Sequence, residues 1–156
     1  MKKYMLDMKV TENCSLHKNY CLLKLTSDQI LPEMLPGQFV QVRVDNSPTT
    51  FLRRPISINY VDRATNELWL LVQLVGDGTR RMAEYKPGDV VNIMLPLGNG
   101  FTLPADKEQK LLLIGGGVGG WLLWSGGDDK VQAKGEGGGE AQSEQAQAEA
   151  KAAKMA

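Results

Sequence analysis

From Tyr4 to about residue 100, no stretch repeats its apolar residues at helical spacing for long enough to bury a helix face. The chain is cut instead into short β-type runs by proline, glycine, asparagine and aspartate, and that punctuation limits the folds open to it. MLDMKVTEN (5–13) mixes apolar and polar residues, SLHKN (15–19) reads as a turn, and YCLLKLTS (20–27) resumes, so the pair reads as a hairpin. LPEMLPG (31–37) is a loop, and QFVQVRV (38–44) alternates with at least one apolar face. PISINYV (55–61) and ELWLLVQLV (67–75) are rich in β-branched and apolar residues and are joined by the turn DRATN (62–66). VVNIMLP (90–96), after the turn KPGD (86–89), is the last clear strand. Six such runs without a long helix predict a mainly β fold, a small antiparallel Greek-key barrel. One short helix interrupts the strands: RRMAEY (80–85), with Thr79 as its expected N-cap, stopping before Lys86-Pro87-Gly88.

Charge and cysteine content exclude more than they assign. Eighteen basic and eighteen acidic side chains balance to zero, which gives no electrostatic case for nucleic acid or an acidic membrane surface as a partner. The N-terminal MKKYMLDMKV lacks the apolar core of a secretory signal, and runs such as LWLLVQLV are too short to span a bilayer, so a cytoplasmic location is expected. Cys14, His17 and Cys21 offer three ligands where a structural zinc or iron–sulfur site takes four. They read as two reduced thiols and a solvated histidine beside a hairpin, with no metal site and no acid–base catalyst assigned.

Four segments carry the chemistry. PGQF (36–39) is a turn entering a strand, and LPLGNGF (95–101) is a tight glycine loop leaving one. RRPISI (53–58) puts a guanidinium at the start of a strand, where its fork can hold a phosphate. Pro55 and Ile56 add apolar surface for a flat ring, and Ser57 adds a hydrogen-bonding hydroxyl. VGDGT (75–79) places Gly76 and Gly78 before the helix, where a close approach and free backbone N–H groups suit an anion.

Beyond the barrel the composition changes twice. LLLIGGGVG (111–119) reads as a buried strand running into a glycine turn, but GWLLWSGG (120–127) follows and no further strand–helix alternation does. GGDDKVQAKGEGGGE (126–140) reads as flexible, and AQSEQAQAEAKAAK (141–154) has helix propensity but no apolar stripe.

In this order, PGQF, RRPISI, GDGT, PLGNGF and LLLIGGGVG resemble the flavin-binding half of the ferredoxin reductase superfamily. Within it the chain is most similar to the electron-transfer subunits of class 1B dihydroorotate dehydrogenases, over roughly three quarters of its length. Plant-type reductases have a tyrosine where Ile56 stands. The resemblance implies an FAD site lined by Arg54, Pro55, Ile56 and Ser57, with Arg54 towards the pyrophosphate and Ser57 near the reactive ring edge. It implies that Leu71, Val72 and Gln73 pack along the cofactor, and that Gly78 and Thr79 hold the pyrophosphate. Arg53 is left as a surface charge. The resemblance also implies a catalytic FMN-containing dihydroorotate dehydrogenase subunit as partner, with electrons passing from dihydroorotate through FAD towards NAD. That family continues into a full NAD-binding domain and a four-cysteine site for a 2Fe–2S cluster. No cysteine follows Cys21 here, and the glycine turn is not continued, so the NAD site and the cluster are expected to be absent. The chain therefore reads as a truncated or frame-shifted member. Its expected parts are an FAD-binding barrel at 1–103, an incomplete nucleotide-binding unit at 104–124 and a disordered tail at 125–156. Two other functions stand beside this one: a non-catalytic barrel fragment that docks on a partner subunit, and a related sulfide or ferredoxin–NADP reductase subunit.

Overall fold

A computed structural model describes residues 2–102 of the chain. The readings of an incomplete nucleotide-binding unit and of a disordered tail lie outside the described residues. Six strands and one helix make up the described part: β1 (Tyr4–His17), β2 (Tyr20–Thr26), β3 (Phe39–Val42), β4 (Arg54–Asp62), β5 (Glu67–Gln73), α1 (Asp77–Ala83) and β6 (Val90–Leu97).

The strands close into a barrel in the order β1-β2-β5-β4-β3-β6, every neighbouring pair antiparallel. β3, β4 and β5 form a meander, and β6 returns to lie beside β3, so the barrel is of the Greek-key class expected from the sequence. Period-two alternation puts one face of each strand inside. Leu6, Met8 and Val10 of β1, Leu23 and Leu25 of β2, and Val40 and Val42 of β3 meet there with Ile56 and Ile58 of β4, Leu68, Leu70 and Val72 of β5, and Val91, Ile93 and Leu95 of β6. Each such side chain contributes about 1.5–3 kcal/mol of burial. Closure leaves no free sheet edge, so the backbone hydrogen bonds are satisfied within one small domain.

The elements depart from the sequence reading at their ends. β1 runs on through Ser15 and Leu16 to His17, which pairs with Tyr20, so the expected turn SLHKN shrinks to Lys18 and Asn19. A break in register between Ser15 and His17 lets the longer strand be accommodated. The helix begins at Asp77 with Gly76 as N-cap; Thr79 is not its N-cap. The reason is local. The Thr79 hydroxyl folds back from the first turn, accepting from the N–H groups of Val75 (3.0 Å) and Gly76 (3.1 Å) and donating to the Gly76 carbonyl (2.9 Å). At the other end, Asn13 Nδ2 donates to the carbonyls of Met82 (3.0 Å) and Tyr85 (2.9 Å), fastening the end of α1 to β1. Met82 is fully buried and anchors α1 against the core.

Candidate functional site

The entrance to β4 faces the 75–79 turn across a cleft of about 200 Å³, whose near wall is formed by Thr49, Thr50 and Arg54. Gly78 sets the closeness of the two sides. A Cβ on Gly78 would stand 3.0 Å from Thr50 Cγ2 and 3.3 Å from Arg54 Cδ, so the absence of a side chain lets the arginine stem lie against the turn. Arg54 Nε donates to the Leu52 carbonyl at 3.1 Å, and its terminal nitrogens have no hydrogen-bond partner among the described residues. Thr49 Oγ1 donates to the Asp77 carboxylate at 2.8 Å, tying the two walls together. Asp77 also meets Arg80 at 3.5 Å in an exposed pair of small energetic weight. The N–H groups of Gly78 and Thr79 belong to the first helical turn and have no acceptor within the helix.

Beside the cleft, the outer face of the barrel carries a half-buried strip. Phe39 pairs with Ser57 on one side and with Leu97 on the other. Ser57 and Leu71 lie one step beyond the Ile58–Leu70 pair, and Leu71 pairs with Leu22. Pro55 and Gln73 are exposed on the same strands, whereas Ile56 is 9% exposed and Val72 0%, both within the core.

Of the residues expected at the site, Arg54, Gly78 and Thr79 meet at the cleft. Pro55, Ser57, Leu71 and Gln73 lie on the outer surface. The side chains of Ile56 and Val72 point away from that surface, into the barrel. Thr49, Thr50 and Asp77 of the cleft, and Phe39 of the strip, were not singled out from the sequence. The segment NSPTTFL (46–52) carries no motif, and the PGQF turn gives no hint of where its phenylalanine goes.

PGQF and PLGNGF, far apart in the chain, form one structure. Gln38 is fully buried; its Oε1 accepts from Leu35 N–H (2.7 Å) and its Nε2 donates to the Gly98 carbonyl (3.1 Å). The Ile58 N–H donates to the Gln38 carbonyl at 3.0 Å, and the Phe101 N–H to the Pro36 carbonyl at 2.8 Å. Gly37, at a φ of +93°, lies under the Phe101 ring, which a Cβ would approach to 3.1 Å. The two loops together hold Phe39 beside Ser57.

Among the described residues no helix is long and apolar enough to cross a membrane. No family model matches the chain. Among curated proteins it is 40% identical over 114 residues to the dihydroorotate dehydrogenase B (NAD(+)) electron transfer subunit of Fusobacterium nucleatum, an alignment covering 72% of this chain and 44% of that protein. The subunit of the same name from Desulforamulus reducens is 42% identical over 113 residues, covering 72% of this chain and 43% of that one. The chain thus spans less than half the length of these relatives. Among solved structures, an Amycolatopsis cytochrome P450 reductase superposes with a TM-score of 0.62 at 27% identity, covering 78% of this chain and 37% of that one. Phthalate dioxygenase reductase, at a TM-score of 0.53 and 22% identity, covers 66% of this chain and 32% of its own and shares the fold. A barrel shared with these reductases, and a sequence shared at this level with one group of them, make the chain a member of the ferredoxin reductase superfamily, in the group of the dihydroorotate dehydrogenase B electron-transfer subunits.

Proposed function

We propose that the barrel, residues 1–103, binds FAD and serves as an electron-transfer module. The observation that carries this is the meeting of Arg54 and Gly78 at one cleft, with the arginine's terminal nitrogens left without a partner among the described residues. A forked cation and a set of helix-start N–H groups suit a pyrophosphate. A cleft of about 200 Å³ suits that group and not the whole dinucleotide, which leaves the ring system to the outer strip.

In this reading Arg54 faces the pyrophosphate, and Gly78 and Thr79 hold it through their backbone N–H groups. The Thr79 hydroxyl is already engaged by Val75 and Gly76, so its part is to fix the shape of the turn. Pro55, Ser57 and Leu71 offer the surface along which the ring lies, Ser57 towards its reactive edge, with Gln73 beside the cofactor. Ile56 and Val72 support that surface from the core side. The flavin, when bound, supplies the electron transfer itself; the protein supplies binding and orientation.

The names of the sequence relatives extend the proposal to dihydroorotate oxidation and NAD as the ends of the electron path, and the resemblance in sequence adds a catalytic FMN-containing subunit as the partner from which the electrons come. Flavin content tests the reading. The purified full chain should carry, or take up from solution, one flavin absorbing near ~450 nm, as oxidised flavins do. A colourless chain that takes up no added FAD would refute it.

A further inference from the structure

Two arginines stand side by side where the chain enters β4, and their surroundings differ. Arg54 lines the cleft. Arg53 is half-buried, and both of its terminal nitrogens are engaged. Its Nη1 donates to the carbonyls of Gln41 (3.2 Å) and Asn92 (3.1 Å), its Nη2 to Asn92 Oδ1 (2.5 Å), and Met5 Sδ lies 3.9 Å from the same nitrogen. Asn92, itself buried, donates from Nδ2 to Asp7 Oδ1 at 2.5 Å. One guanidinium therefore links β3, β6 and, through Asn92, β1.

The acceptors explain why a guanidinium sits there. The ladder between β3 and β6 is broken between Phe39 and Gln41. Past the break Gln41 and Val42 resume the pairing, with Met94 and Ile93. Arg53 adds a donor to the carbonyl of Gln41, the first residue beyond it. A planar fork reaches the Gln41 carbonyl, the Asn92 carbonyl and the Asn92 side chain from two separate nitrogens, whereas an ammonium presents all its donors from one.

We propose that Arg53 is a positioning residue for FAD binding: its clamp on Gln41 and Asn92 fixes the register of β4, and through it the side on which Arg54 stands. This rests on the assignment of Arg54 to the FAD pyrophosphate. Successive side chains on a strand point to opposite faces, and a slip of one residue exchanges the faces. β4 begins with Arg54 paired to Val42, so a slip there would take Arg54 out of the cleft and bring Arg53 into it. With Arg53 held by fixed acceptors, only Arg54 is left for the anion.

A double-mutant cycle on the full chain, read as FAD affinity by fluorescence titration, tests the proposal with Arg53→Met, Arg54→Ala and the pair. Arg53→Met should weaken FAD binding about tenfold while Arg54 is present and less than about twofold once Arg54 is alanine, the signature of one residue acting through the other. An equal loss in both backgrounds, or no loss in either, overturns the proposal. Should Arg53→Met not fold, Arg53→Lys keeps the charge without the fork and should weaken FAD binding about threefold, again only with Arg54 present. Arg53→Lys binding FAD as the unaltered chain does overturns the proposal. Failure of the pyrophosphate assignment shows separately, as an Arg54→Ala chain that binds FAD unchanged.

Discussion

At Gly78 a single hydrogen atom stands where any other residue would put carbon. The Thr50 methyl and the aliphatic stem of Arg54 both lie within 3.0–3.3 Å of the position a Cβ would take. Gly78→Ala should therefore displace Arg54 and weaken FAD binding about five- to tenfold, of the order of one ordinary hydrogen bond. Gly76→Ala is the control, because nothing lies within 4 Å of its Cβ position and its backbone is extended at φ −154°. Flavin titration of the two variants checks the contrast; equal effects would show that the contact with Arg54 is unimportant. RRPISI and GDGT pointed to Arg54 and Gly78 because a guanidinium and a glycine turn carry anion chemistry in their own structure. The part played by Arg53, left there as a surface charge, could not be read from the sequence. It depends on Gln41 and on Asn92, 12 and 39 residues away, and on which side of β4 each arginine enters.

Strands were legible and their ends were not, because alternation reports the buried face while hairpin register is decided by pairing. The β1–β2 hairpin shows this, as pairing carries β1 to His17 through residues that look like a turn. Thr79 shows it for the helix: the residue is a good N-cap type, yet its hydroxyl satisfies the N-cap backbone from inside the first turn. The meeting of PGQF with PLGNGF was invisible for another reason. Gln38 and Gly98 are 60 residues apart, and a buried glutamine has no sequence signature. Gln38→Ala leaves the Leu35 N–H and the Gly98 carbonyl without their partner and opens a space between the loops. It should cost about 1–3 kcal/mol, read as a lower urea midpoint with unchanged slope. A midpoint equal to that of the unaltered chain would contradict the role assigned to Gln38. Strand β2 offers a second test. Burial pushes the Cys21 thiol up to about 11, so at pH 8 Cys21 should resist alkylation in the folded chain and react in urea. The raised value means the unfolded chain loses this proton first. The contribution is complete below the ordinary thiol range near ~8.5 and is lost as pH rises towards 11. Stability that rose with pH across that window in the unaltered chain, relative to Cys21→Ala, would contradict the burial argument.

Across the whole molecule, the absence of a long helical repeat together with six short β runs was enough to indicate a closed barrel. The strand order was not, since β2–β5 and β1–β6 are joined by contacts between distant parts of the chain. Closure is what brings the site together: the cleft draws on the loop before β4 and the turn after β5, and its neighbouring strip on β3, β4, β5 and β6. The family to which the chain belongs was legible because its motifs fall where the barrel needs turns, and of the residues expected at the site Arg54, Gly78 and Thr79 lie together at the cleft. The central claim is that Arg54 holds the pyrophosphate of FAD, and riboflavin, which lacks that group, isolates it. Titration of the full chain and of Arg54→Ala with both ligands is the direct measurement. The expected result is a loss of FAD affinity of about ten- to a hundredfold in Arg54→Ala, the weight of a charge-assisted contact, with riboflavin binding changed less than about twofold. Equal FAD affinities in the two chains, or an equal loss for FAD and riboflavin, would contradict it.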